Sequence, residues 1–204
     1  SCKGEQWTPR MVWGVEDIVM CPGKEDMFNF LEDVVREVVP LFPGKYFHIG
    51  GDECPKTSWK NCPTCQKRIE AEGLQADGKH SAEERLQSYV IKRMEKMLAK
   101  YDRKIIGWDE ILEGGLSPDA TVMSWRGTSG GISAALQKHD VIMTPGSGGL
   151  YLDHYQGDYK IEPVTIPSAP AYLSRTYNYE PVPDTIKSLG LEKHILGVQC
   201  NNWS

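Results

Sequence analysis

Two adjacent acids, Asp52 and Glu53, follow a glycine pair in the stretch YFHIGGDECPKTSW, residues 46–59. Crowded carboxylates in a partly dry site titrate apart, so that one stays ionised while the other keeps its proton. That pairing suits a general acid beside an electrostatic partner. Regular strand geometry sends successive side chains to opposite faces. Gly50 and Gly51 can adopt backbone angles denied to other residues and turn both acids into one cavity. Asp109-Glu110 is a second adjacent pair, and composition alone does not choose between the two.

These acids belong to a pattern. Five short runs rich in Ile, Val and aromatic residues read as strands: 45–50, 104–108, 121–125, 140–144 and 195–199. Apolar on both sides, they have the character of buried parallel strands. Helical stripes lie between them. Phe28, Leu31, Val35 and Val38 share one face of a helix over 25–39. Ser81-Ala82-Glu83-Glu84 is a capping box opening a long helix with a stripe through Leu86, Val90, Met94 and Met97. Shorter helices are expected over 131–138 and 184–193. Alternating strand and helix predicts an α/β fold with a parallel sheet. Residues 156–183, with Pro163, Pro167, Pro170 and Pro181, read as a long excursion of functional type.

Each strand ends on chemistry. After Gly50-Gly51-Asp52-Glu53 come Gly107-Trp108-Asp109-Glu110, Ser124-Trp125-Arg126-Gly127, Tyr151-Leu152-Asp153 and Gln199 through Trp203. In parallel α/β folds the C-terminal rim of the strands is where ligands bind. Trp108, Trp125 and Trp203 offer flat apolar walls suited to the C–H faces of a sugar ring.

Bulk properties narrow the class. The 204 residues carry 23 basic and 28 acidic side chains, a formal charge of -5, which argues against nucleic acid as partner. The basic run from Lys79 to Lys104 is interleaved with acids and reads as a solvated helix face. No apolar run approaches the roughly 20 residues needed to span a bilayer. The opening SCKGEQWTPR has no signal-type apolar core and no Met, and reads as the start of a fragment or processed form. Six cysteines lean towards an oxidising compartment. Cys62-Pro-Thr-Cys65 is a single CxxC, and a zinc site would normally need a second pair or histidines at ligand spacing. His80 is the nearest histidine beyond it, so no metal is expected. Disulfides or buried thiols are the expectation instead, with Cys2–Cys21 as a guessed pair.

The six-residue run His48-Ile49-Gly50-Gly51-Asp52-Glu53 resembles the signature of family 20 glycoside hydrolases, the β-N-acetylhexosaminidases. The Trp108, Trp125, Tyr151 and Gln199–Trp203 motifs follow in that family's order and spacing, so the resemblance covers essentially the whole chain. It implies a (β/α)8 TIM barrel of which residues 1–204 hold the fourth to eighth strands. The first three strands, the sugar-gripping arginine of the first, a small preceding domain and a glutamate two positions beyond Trp203 would lie outside the chain. It also implies retaining, substrate-assisted hydrolysis of terminal β-linked GlcNAc or GalNAc without metal or organic cofactor. Glu53 matches the general acid, Asp52 the residue orienting the acetamido group, and Tyr151 the tyrosine bonded to its carbonyl. Trp108, Trp125 and Trp203 match pocket walls, Asp153 a ligand of sugar hydroxyls, and Glu110 a supporting acid. His48 is read as structural. The partner is then a glycan or glycoconjugate, and resemblance to bacterial enzymes suggests the periplasm or exterior. A catalytically silent sugar-binding scaffold and a metal-dependent hydrolase using Asp52, Glu53 and His48 are the competing readings. Asn202-Trp203-Ser204 forms a sequon that is expected to be coincidental.

Overall fold

The structure, a computed structural model, describes residues 2, 11–12, 14–165 and 170–203. Pro167 of the excursion, Ser204 of the sequon and residues 3–10 of the opening stretch lie outside them. The chain divides into two compact units, Ser1–Ile105 with Glu110–Asp119, and Ile106–Asp109 with Ala120–Ser204. Among the described residues no helix is long and apolar enough to cross a membrane.

The first unit contains α1 (Glu25–Val38), β1 (Tyr46–His48), α2 (Thr57–Lys60), α3 (Pro63–Ala71) and α4 (Ala82–Ala99). α1 buries Met27, Phe28 and Val35. Its solvent side is held by ion pairs to α4, since Glu25 meets Arg93 at 2.5 Å and Glu32 meets Lys100 at 2.6 Å. The basic run over 79–104 is therefore partly paired, not simply solvated. α4 opens with the expected capping box. Ser81 Oγ accepts the Glu84 N–H, and the Glu84 carboxylate accepts the Ser81 N–H at 2.6 Å. The core face of α4 carries Leu86, Ile91, Met94, Met97 and Leu98, so Ile91 takes the place expected for Val90. α2 and α3 are absent from the sequence reading. Both are short, and no long apolar stripe announces them.

β2 (Lys104–Trp108) begins in this unit, where the Lys104 N–H bonds the Lys45 carbonyl beside β1. It continues into the second unit, which adds β3 (Thr121–Ser124), α5 (Ser129–Leu136), β4 (Val141–Met143), α6 (Leu173–Tyr177), α7 (Asp184–Ser188) and β5 (Ile195–Val198). There β2, β3, β4 and β5 pair in chain order, all parallel. β3 is buried throughout, as a central strand with neighbours on both edges must be. β1 and β5 depart from the expectation of burial on both faces. β5 alternates half-buried and exposed residues, and the β1 pattern is likewise open. α6 shows that the 156–183 excursion is not wholly irregular, and the helix expected over 184–193 stops at Ser188.

Candidate active site

β1 ends at His48, whose Nδ1 accepts the N–H of Gly50 at 3.1 Å. Loss of surrounding water lowers the imidazole pKa, while the neighbouring Asp52 carboxylate acts in the opposite direction. A ring that accepts at Nδ1 is the neutral tautomer carrying its proton on Nε2. The chain then takes three unusual angles, φ 72° at Gly50, 96° at Gly51 and 45° at Glu53. A Cβ on Gly51 would stand 2.7 Å from Ile111 Cγ2, so space as well as backbone angle requires glycine. Glu53 in the left-handed region is a strained non-glycine residue, of the kind that clusters at functional sites. The turn leaves Asp52 half-buried and Glu53 exposed. Asp52 and Gly51 border a cavity of about 400 Å³ whose other walls include Met27, Leu31, Ile91 and Met94. Glu53 is not part of that lining, so the single shared cavity expected for the two acids is not this one.

The rival acid pair is already occupied. Asp109 is 2% exposed. Its Oδ2 accepts the N–H groups of Trp125 at 3.0 Å and Arg126 at 3.2 Å, and its Oδ1 meets Arg126 Nε at 2.5 Å. It fastens the turn after β3, with both carboxylate oxygens engaged. Glu110, in the first unit, is buried too, and its carbonyl accepts the Gln87 amide at 2.8 Å. Burial of both acids makes a supporting role the natural one for Asp109-Glu110.

The second unit gathers the indoles. Trp108 meets Trp125 with ring centroids 6.4 Å apart at 71°, and Trp203 at 6.0 Å and 55°. Trp108 is buried, while Trp203 is 57% exposed, so the cluster has an open side. Edge-to-face contacts of this kind fix ring planes. The turn that carries Trp125 is shaped by Ser124, whose hydroxyl donates to the Gly127 carbonyl at 2.7 Å and accepts the Gly131 N–H at 2.9 Å. Tyr151 forms an isolated parallel bridge with Asn201. The Leu152 N–H meets the Asn201 carbonyl at 2.7 Å, and the Asn201 N–H meets the Leu150 carbonyl at 2.8 Å. This brings the Tyr151 segment beside the one that carries Trp203. Asp153 Oδ1 is buried without a hydrogen-bond partner among the described residues. Such an orphan acceptor is costly unless a ligand supplies a donor.

Sequence reasoning gave no role to Thr144 or His154, and none to Asn201 beyond membership of its motif. Asn201 Nδ2 donates to Thr144 Oγ1 at 3.0 Å in a buried pair, and the His154 ring lies 5.2 Å from that of Tyr151. The available signal was position, since Thr144 follows β4 and Asn201 lies just beyond β5.

Parallel strands alternating with helices, with acids, indoles and a tyrosine after the strand ends, define a partial α/β fold whose candidate site residues follow the C-terminal ends of its strands. The whole chain, residues 1–204, matches the model of "Glycosyl hydrolase family 20, catalytic domain". The chain belongs to this family. It is 57% identical over 206 residues to a beta-hexosaminidase of Porphyromonas gingivalis, covering all of this chain and 25% of that protein. A beta-hexosaminidase of Vibrio furnissii is 34% identical over 195 residues, covering 95% of this chain and 31% of that protein. Among solved structures, a GH20 exo β-N-acetylglucosaminidase of Vibrio harveyi in complex with N-acetylglucosamine superposes with TM-score 0.79 at 30% identity, covering 91% of this chain and 28% of that one. A chitobiase of Flavobacterium johnsoniae gives 0.73 at 28%, with 94% and 27% covered. The chain thus spans about a quarter to a third of the length of these relatives.

Proposed function

We propose that the protein containing this chain is a retaining exo-β-N-acetylhexosaminidase that removes terminal GlcNAc or GalNAc by substrate-assisted catalysis. The observation that carries the reading is the end of β1, where Gly50, Gly51 and Glu53 all take positive φ to present two adjacent acids. In the proposed sequence the substrate's acetamido carbonyl oxygen attacks the anomeric carbon as the glycosidic C–O bond breaks. Glu53 gives its proton to the departing oxygen. The resulting oxazolinium is opened by water attacking the same carbon, and Glu53 takes the proton of that water. An internal nucleophile supplies proximity without a protein nucleophile. Asp52 accepts the acetamido N–H and offsets the developing positive charge. Tyr151 donates to the acetamido carbonyl oxygen. Trp108, Trp125 and Trp203 enclose the N-acetyl group and ring, and Glu110 supports the motif. Asp153 takes sugar hydroxyls, which would provide the donor that its buried oxygen lacks.

The test uses the full-length protein and an aryl β-GlcNAc. Glu53→Gln is expected to lower kcat by about 10²–10⁴-fold, the usual contribution of a general acid, with substrate binding kept. Asp52→Ala should lower kcat steeply by releasing the acetamido group. Near-normal turnover in Glu53→Gln would remove that residue from its role. A wild-type protein that binds GlcNAc without hydrolysing the glycoside would favour a sugar-binding scaffold instead.

A further inference from the structure

Four sulfurs converge in the first unit, on residues given no role above. The Sγ atoms of Cys2, Cys21, Cys62 and Cys65 all lie within 4.8 Å of one another. Cys21–Cys65 is 3.5 Å, Cys2–Cys65 is 3.6 Å and Cys21–Cys62 is 3.8 Å. A disulfide would draw one pair to about 2.05 Å, yet none of the six cysteines is bonded to another. A tetrahedral zinc ion at about 2.3 Å from each sulfur sets the sulfur–sulfur edge at about 3.8 Å. We propose that Cys2, Cys21, Cys62 and Cys65 bind one structural zinc ion.

The local backbone is built for it. Cys21-Pro22-Gly23 and Cys62-Pro63-Thr64-Cys65 are two tight turns, the second opening α3 with its proline at the first helical position. A Cβ on Gly23 would stand 2.4 Å from the Thr64 carbonyl carbon and 2.7 Å from the Cys65 nitrogen, so the turns meet backbone to backbone. Cys21, Cys62 and Cys65 are buried, packed with Trp59, Ile69 and Leu86. Zinc would displace the thiol protons and enter as a closed four-thiolate site. With no open position it would serve structure and not catalysis.

The expectation of no metal rested on the lack of a second ligand pair. The fold supplies that pair from Cys2 and Cys21, too far apart in sequence to read as a motif and brought to Cys65 across 63 and 44 residues. The guessed Cys2–Cys21 disulfide gives way to the same arrangement, and the cysteine count ceases to argue for an oxidising compartment. The consequence for the fold is local to this unit. Cys62 stands nine positions after Glu53, so the ion would anchor the far end of the segment that carries that acid, joining it to residues 2 and 21.

The decisive measurement is the zinc content and zinc-edge X-ray absorption of the full-length protein, purified under reductant and offered zinc(II) before dialysis. About one zinc per chain with four sulfurs at about 2.3 Å is expected. Cobalt(II) in its place should give thiolate-to-metal charge-transfer bands, and Cys62→Ser should reduce retained metal several-fold. Should that variant fail to fold, the wild-type absorption spectrum decides. Retention of under a tenth of an equivalent, a first shell of nitrogen or oxygen, or disulfides among these four found by mass spectrometry would overturn the site.

Discussion

Replacing Asp109 by asparagine should loosen the Trp125 turn, and the structure sets the size of the effect. The native carboxylate accepts two backbone N–H groups and one guanidinium N–H while 2% exposed. An asparagine oxygen can keep one side of this arrangement. If it keeps the two backbone donors, its NH2 group faces Arg126 Nε, donor against donor. The bond to Arg126, charge-assisted and worth about 1.5–3 kcal/mol, is then lost. Arg126 is half exposed and rehydrates, so no buried charge is stranded. The remaining two bonds fall to neutral strength, about 0.5–1.5 kcal/mol each. A total cost of about 3.5–6 kcal/mol follows, or roughly two and a half to four decades of local opening at 1.4 kcal/mol per decade. Amide hydrogen exchange of the full-length protein reads this directly: protection at Trp125 and Arg126 should fall at least tenfold. On the proposed roles, substrate KM should rise more than kcat falls, because Trp125 is assigned to a pocket wall and Glu53 to proton donation. Gly130→Ala is the companion variant, since its Cβ would stand 2.7 Å from the Asp109 Cβ and displace the carboxylate without removing a donor. Unchanged protection at both amides in Asp109→Asn would refute the reasoning.

Gly114→Ala should be among the most damaging single-methyl changes. Its Cβ would meet the Glu84 carbonyl at 2.0 Å at a residue with φ 76°, and a loss of about 3 kcal/mol or more by urea denaturation is expected. Ser81→Ala removes the N-cap of α4 and should cost about 1 kcal/mol in the same assay. Glu84 carries a pH signature, because its carboxyl is held below the ordinary 4.5 by the Ser81 N–H first, against burial, with help from the Ser81 hydroxyl. A depressed folded pKa means that the contribution is complete above about 4.5 and is lost as pH falls through the lower folded value. The stability gap between wild type and Glu84→Gln should therefore be present at pH 7 and shrink below pH 4. A gap that grows with acid would contradict the capping box.

The sequence by itself determined what rests on neighbours a few positions apart. Short apolar runs rich in Ile, Val and aromatic residues located all five strands, Ser81 with Glu84 located the start of α4, and the glycine pair before Asp52-Glu53 announced a turn made at positive φ. Those are short-range effects of sterics and local hydrogen bonding, and they survive any change in the rest of the chain. Tertiary structure alone decided which acid pair is spent on backbone, since Asp109 and Asp52 look alike until Trp125 and Arg126 close on one of them. It alone assembled Trp108, Trp125 and Trp203 into one cluster, and set Asn201 beside Tyr151. It alone brought Cys2 and Cys21 to Cys62 and Cys65. Each of these depends on where the chain returns after tens of residues, and residue type and spacing carry no record of that path.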